Sequence, residues 1–153
     1  MPEPEVFEAL RASAEEVLET MFFCCLAGDD VKPESSGAEN RAPAPLLSSR
    51  LSFRGAPSGV FEVGVSVPAA RGLAANFLGA EEPEVSGKQV ADVVCELANV
   101  LCGSVLSRFR TASVFDLSPP DLTPALDCPE ASRYSFDIAG GMLIIALRFE
   151  EGA

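Results

Sequence analysis

The run SGKQVADVVCELANVLCGSVLSRF, from Ser86 to Phe109, decides how the rest of the chain is read. Ser86-Gly87-Lys88-Gln89 has the Ser-x-x-Gln form, in which hydroxyl and carboxamide each satisfy a backbone donor left free at a helix start. Val85 and Val90 stand where a hydrophobic staple closes around such a cap. The spacing predicts one long helix reaching about Phe109. At about 100° per residue, with Asp92 set to zero, Glu96 falls at about 40°, Asn99 at about 340° and Gly103 at about 20°. Lys88 lies at about 320°, and Gln89 and Ser107 at about 60°. The polar groups share one narrow strip. Val90, Val93, Val94, Leu97, Ala98, Leu101 and Val105 fill the wide remainder, so the helix is expected to be mostly buried with one face open.

Elements on either side suit such a helix. Downstream, a short strand is expected near Ala112 to Leu117, then a Pro-rich stretch from Ser118 to Pro129. A closing hairpin follows, in which Arg133 to Ile138 alternates, Ala139-Gly140-Gly141 turns, and Met142 to Phe149 returns as a nearly continuous apolar strand. That last strand is apolar on both sides and needs cover on each face or a second subunit. Upstream, Leu51 and Phe53, then Phe61, Val63, Val65 and Val67, alternate with polar residues or glycine as two half-buried strands joined at Gly55 to Gly59. Pro68 opens a helix that Gly79 stops after Leu78, with Gly72 weakening it, and Glu81, Glu82, Pro83 and Glu84 form an acidic connector. From Pro4 to about Leu26, Val6, Leu10, Ala14, Val17, Met21 and Cys25 recur at helical spacing, with Gly28 as the stop. Gly28 to Pro45 lacks apolar periodicity and reads as a flexible insertion. Helices and antiparallel strands in sequence-local groups, without regular β-α-β alternation, make an α+β domain.

Composition narrows the function. The 153 residues suit one domain that buries roughly two-thirds of the surface its unfolded chain exposes. The longest uninterrupted apolar runs, about Met21 to Ala27 and Met142 to Leu147, fall short of the ~20 residues that cross a bilayer. Eleven basic residues against 23 acidic ones give a formal charge of −12, which repels phosphate backbones and anionic lipid and points to protein partners. The chain has no histidine, which removes the commonest general base and metal ligand and every Ser-His or Cys-His pair. Five cysteines, an odd count with Cys24 and Cys25 adjacent, and an opening without a signal-like segment point to a reducing, cytoplasmic setting.

The strip on the long helix has a plain reading, a solvated face, and two residues that fit it poorly. Asn99 is a mediocre helix former where Glu, Lys or Gln would serve better. Gly103 costs roughly 1 kcal/mol against alanine in a helix interior, with no return unless something approaches closely. The pattern Asp92-x-x-x-Glu96-x-x-Asn99, followed by Gly103 and by Phe115-Asp116-Leu117-Ser118-Pro119-Pro120, resembles the phosphatase motif of the CheC/CheX class of chemotaxis phosphatases. Glu16-Val17-Leu18-Glu19-Thr20-Met21 is similar to the first helix of CheX-type domains, and the likeness runs through nearly the whole chain outside Gly28 to Pro45. CheC-type members typically carry two such motifs. Here the first helix offers Glu16-x-x-Glu19 where the amide would be required, so the resemblance is to CheX.

The resemblance implies a single CheX-like domain over residues 1–153, an antiparallel sheet packed with a long central helix and an N-terminal helix. It implies a homodimer formed by strand exchange. It also implies a substrate, the aspartyl phosphate of a CheY-like receiver. An acyl phosphate is already activated, so an aligned water and neutralised phosphoryl oxygens are what hydrolysis lacks. Glu96 and Asn99 are the expected catalytic pair: the carboxylate meets a cationic side chain of the receiver, and the amide, both donor and acceptor, holds the water. Asp92 is expected to cap the strip or to dock, and Gly103 to let the partner backbone come near. No cofactor is expected on this chain; magnesium would come with the receiver. Two other readings keep the fold: a module that binds and sequesters a receiver or another signalling protein without hydrolysis, and a structural or ligand-binding relative whose strip is idle.

Other constellations have simpler readings. Cys95 and Cys102 are expected as small core residues, as are Cys24, Cys25 and Cys128, since no Cys-x-x-Cys or histidine completes a zinc site. Ser86-Gly87-Lys88-Gln89 is not a nucleotide loop, because Glu82 stands where the earlier glycine belongs and Gln89 where Ser or Thr would. Glu81, Glu82 and Glu84 read as a solvated run favourable to the following helix dipole.

Overall fold

A computed structural model of the chain describes residues 3–23, 32–33, 46–55, 58–109, 115–126, 128 and 131–150. The long helix, α3, spans Gly87–Phe109 and starts as its cap dictates. The Gln89 backbone N–H donates to Ser86 Oγ at 3.1 Å and the Ser86 N–H to Gln89 Oε1 at 2.8 Å, while Val85 and Val90 are both buried. By length and composition Gly87–Arg108 would suffice to cross a membrane. Here its apolar flank is instead the centre of the core, with Leu97, Ala98, Leu101, Cys102 and Val105 fully enclosed.

Beneath it the described residues form a seven-stranded antiparallel sheet: β1 (Lys32–Pro33), β2 (Leu46–Arg54), β3 (Ser58–Ser66), β4 (Asp116–Leu117), β5 (Asp121–Thr123), β6 (Ser132–Ile138) and β7 (Gly141–Glu150). The spatial order is β1-β6-β7-β3-β2-β4, with β5 also on β2. Register stacks apolar rows under the helices, Leu51 beside Phe61 and Leu147, and Val63 beside Ile145 and Tyr134. Among the described residues the other two α-helices are α1 (Glu3–Met21) and α2 (Val67–Leu78), and a single 3-10 turn spans Glu82–Glu84. Helix α1 is joined to α3 through Ser13, whose hydroxyl accepts from Ser104 Oγ at 2.9 Å and Arg108 Nε at 3.0 Å, while Arg108 pairs with Glu16 at 2.6 Å. Helix α2 has Pro68 in its first turn and ends at Gly79 in the left-handed region, φ 67°.

Several expectations shift. The first helix ends at Met21 rather than near Leu26: Phe22 turns into the core to stack on Phe77, ring centroids 5.1 Å apart, and Phe23 adopts φ 50°. Cys24, Cys25 and the proposed stop Gly28 lie outside the described residues. So does most of the insertion at 28–45, except that Lys32–Pro33 pairs with β6. The strand expected at Ala112 to Leu117 is described only as Asp116–Leu117, and the Pro-rich stretch contains β5.

Strand β3 is buried on both faces over most of its length, not half-buried. Leu126 and Cys128 lie over the face away from the helices, and a Cβ at Gly64 would come within 2.9 Å of Leu126. Glu62, fully buried on that face, accepts from Arg50 Nε at 2.8 Å and from the Cys128 N–H at 3.2 Å. Arg133 donates to the Leu126 carbonyl. Ile144 and Ala146 of β7 are buried within the single chain, so burial of that strand does not by itself call for a second copy.

Candidate functional site

The strip on α3 faces outward, as the helical projection requires. Asp92 and Glu96 are exposed, and Asn99 and Gly103 half-buried. Asp92 takes the Lys88 ammonium at 3.1 Å, one turn earlier on the same edge. Exposed pairs of this kind contribute little to stability, about 0.3–0.5 kcal/mol. Neither the Glu96 carboxylate nor the Asn99 carboxamide has a hydrogen-bond or ion-pair partner among the described residues. They stand one helical turn apart with their polar ends free for another molecule.

Gly103 shares this edge. A Cβ built there meets nothing within 4 Å, so no internal contact requires a glycine. Cys95, at the sheet side of the strip, is half-buried rather than enclosed, and its sulfur accepts from Ser49 Oγ at 3.5 Å. Cys102 is sealed, and burial pushes its thiol up to about 12. Among the described residues no three His, Cys, Asp or Glu side chains converge as a metal site.

Beside Glu96 the surface dips into an open groove of about 330 Å³, lined by Phe77 and Leu78 of α2 and by Gln89, Asp92, Val93 and Glu96 of α3. Phe77 and Leu78 were not among the residues singled out from sequence. They precede a helix-stopping glycine, and helical spacing does not show that Leu78 stays 43% exposed. Arg71 sets this wall by donating to the carbonyls of Glu82 at 3.1 Å and Val85 at 2.9 Å, which ties α2 to the start of α3. The arrangement offers a carboxylate to pair with a cation and an amide to hold a small polar molecule. It holds no activated nucleophile.

A family model described as chemotaxis phosphatase CheX matches residues 47–127, a span that includes Asp92, Glu96, Asn99 and Gly103. The chain is similar in fold to a chemotaxis protein CheX from Desulfovibrio desulfuricans, with TM-score 0.72, 14% identity, and 95% of this chain and 99% of that one covered. It is similar to a CheC-like superfamily protein from Shewanella sp. PV-4, with TM-score 0.73, 16% identity, and 98% and 99% covered. It is also similar to the CheX of a CheX-CheY-BeF3-Mg2+ complex from Borrelia burgdorferi, with TM-score 0.70, 16% identity, and 95% and 98% covered. Among curated proteins no sequence matches.

Proposed function

The chain belongs to the CheX family of chemotaxis phosphatases, and on that premise we propose that it hydrolyses the aspartyl phosphate of a CheY-type receiver. The observation that carries this is the pair Glu96 and Asn99, one turn apart on the open edge of an otherwise buried helix and unengaged within the chain. Support for the partner comes from the Borrelia burgdorferi relative, a CheX in complex with CheY.

In this reading the α3 edge enters the receiver's phosphorylation pocket. Glu96 pairs with a cationic side chain there and fixes the docked register. The Asn99 carboxamide holds a water in line with the phosphorus–oxygen bond. The water oxygen bonds to phosphorus and the aspartyl oxygen departs as carboxylate. The displaced proton stays on the released phosphate, so no strong base is needed and the lack of histidine is no obstacle. Positioning of one water is worth about 100-fold, or roughly 2.7 kcal/mol of barrier. Asp92 and Gly103 belong to docking: Asp92 extends the acidic edge, and Gly103 leaves room for partner backbone. Magnesium in this reading belongs to the receiver.

The test is a panel of purified CheY-type receivers from the same cell, charged with acetyl phosphate and magnesium and followed for phosphate loss with and without this protein. Faster loss from at least one receiver is the expected outcome. Binding of a charged receiver with no change in its lifetime would show a sequestering module instead.

A further inference from the structure

We propose that the catalytic strip works between two apolar flanks, Leu78 on the α2 side and Leu122 on the β5 side, which together form the docking face for the phosphorylated receiver. This rests on the function proposed above. Among the described residues the large apolar side chains left exposed are Phe23, Leu78 and Leu122. A single exposed leucine is ordinary on a protein surface. Two of them bordering one polar strip from opposite sides is a built feature.

The topology gives their placement. Leu78 lines the groove together with Gln89, Asp92, Val93 and Glu96, the flank of α3 that turns toward α2. Leu122, 50% exposed, stands directly opposite Ser49 in the β2–β5 register, so both side chains leave the same face of the sheet. Ser49 reaches Cys95 of α3, which places Leu122 on the helix-bearing face. Cys95 precedes Asn99 by one turn, so Leu122 borders the Asn99 flank, and β5 lies against α3. Glu96 and Asn99 therefore lie between an exposed leucine on the α2 side and another on the β5 side. The α2 side is held firmly: Phe77 stacks on Phe22, and Gly79 closes the helix immediately after Leu78.

The charge of the strip selects the occupant. Lys88 pairs with Asp92, so Glu96 carries the strip's unpaired charge; on a chain of net charge −12 it sets a second copy of the same face against a like charge, whereas a receiver pocket that presents a cation complements it. Apolar side chains on either side shield that ion pair from water, so it contributes more to docking than a pair on an open surface would.

The experiment uses Leu78→Asp and Leu122→Asp, exposed positions where replacement leaves the core intact, with a CheY-type receiver charged with acetyl phosphate and magnesium. Each replacement is expected to raise the receiver concentration for half-maximal dephosphorylation about tenfold, while the rate at saturation is kept and the thermal melt is unchanged. Asn99→Ala in the same series lowers the saturating rate. Direct titration of the charged receiver separates the two ideas. If the aspartates weaken binding but the wild type speeds no phosphate loss, the docking face stands and the phosphatase reading falls. If Asn99→Ala abolishes the stimulation while either leucine replacement leaves half-saturation unmoved, the two-sided dock is overturned and the phosphatase reading stands. No binding of any charged receiver overturns both.

Discussion

Gly103 and Asn99 are each a poor choice for the helix that holds them, and the structure shows that internal packing is not the reason. A methyl added at Gly103 meets open space, so Gly103→Ala is expected to stabilise the protein by about 0.5–1 kcal/mol. The same change is expected to slow receiver dephosphorylation several-fold, because it fills the gap reserved for partner backbone. Urea midpoints and phosphate-release rates, read side by side, check the split; a stabilised variant with full activity would remove Gly103 from the docking face. Both residues stood out in the sequence because their helix propensity disagreed with their neighbours. Glu62 did not. It occupies an alternating position, which reads as outward and solvated, yet it is fully buried because Arg50 faces it in register and the Cys128 N–H reaches it from 66 residues away. Local patterning carries no trace of a partner that distant.

At the scale of elements, the ends of α3 and α2 were legible because capping is local chemistry. Ser86 and Gln89 bond to each other's backbone as the four-residue pattern implies, and Gly79 takes the left-handed turn after Leu78. Ser86→Ala is expected to cost about 1 kcal/mol in urea denaturation, with the saturating phosphatase rate kept, since Glu96 and Asn99 lie beyond the capped turn. An unchanged midpoint would mean that Gln89 or water replaces the hydroxyl. The short strand β5 shows the opposite case. Asp121-Leu122-Thr123 has no period to read and becomes a strand only through its pairing with Ser48, Ser49 and Arg50 of β2. Without β5 in view, Leu122 has no address, and that flank of the docking face is not visible from sequence. The first helix ends early for a similar reason, since the stacking of Phe22 on Phe77 is a tertiary contact.

For the whole molecule, one core joins the three helices to the helix-facing rows of the sheet, and Cys102 sits within it. Its thiol, raised from 9.0 to about 12 by burial, stays protonated in the fold at pH values where the unfolded chain ionises. The folded state then holds more protons than the unfolded one, so stability is full below about pH 9 and declines as pH climbs from there toward 12. Cys102→Ala is expected to flatten that alkaline decline in urea melts taken across pH 8 to about 11; an identical slope would place the cause elsewhere. The same core leaves a single edge of α3 to solvent, and the proposed activity requires that edge to act on another protein. Its most direct test is phosphate release from a charged CheY-type receiver at saturating concentrations of the wild type and of Asn99→Ala, whose fold the substitution of a half-exposed helical residue leaves intact. The stimulated rate is expected to fall about 100-fold toward the receiver's own rate when the carboxamide is removed. Equal stimulation by the two proteins would contradict this.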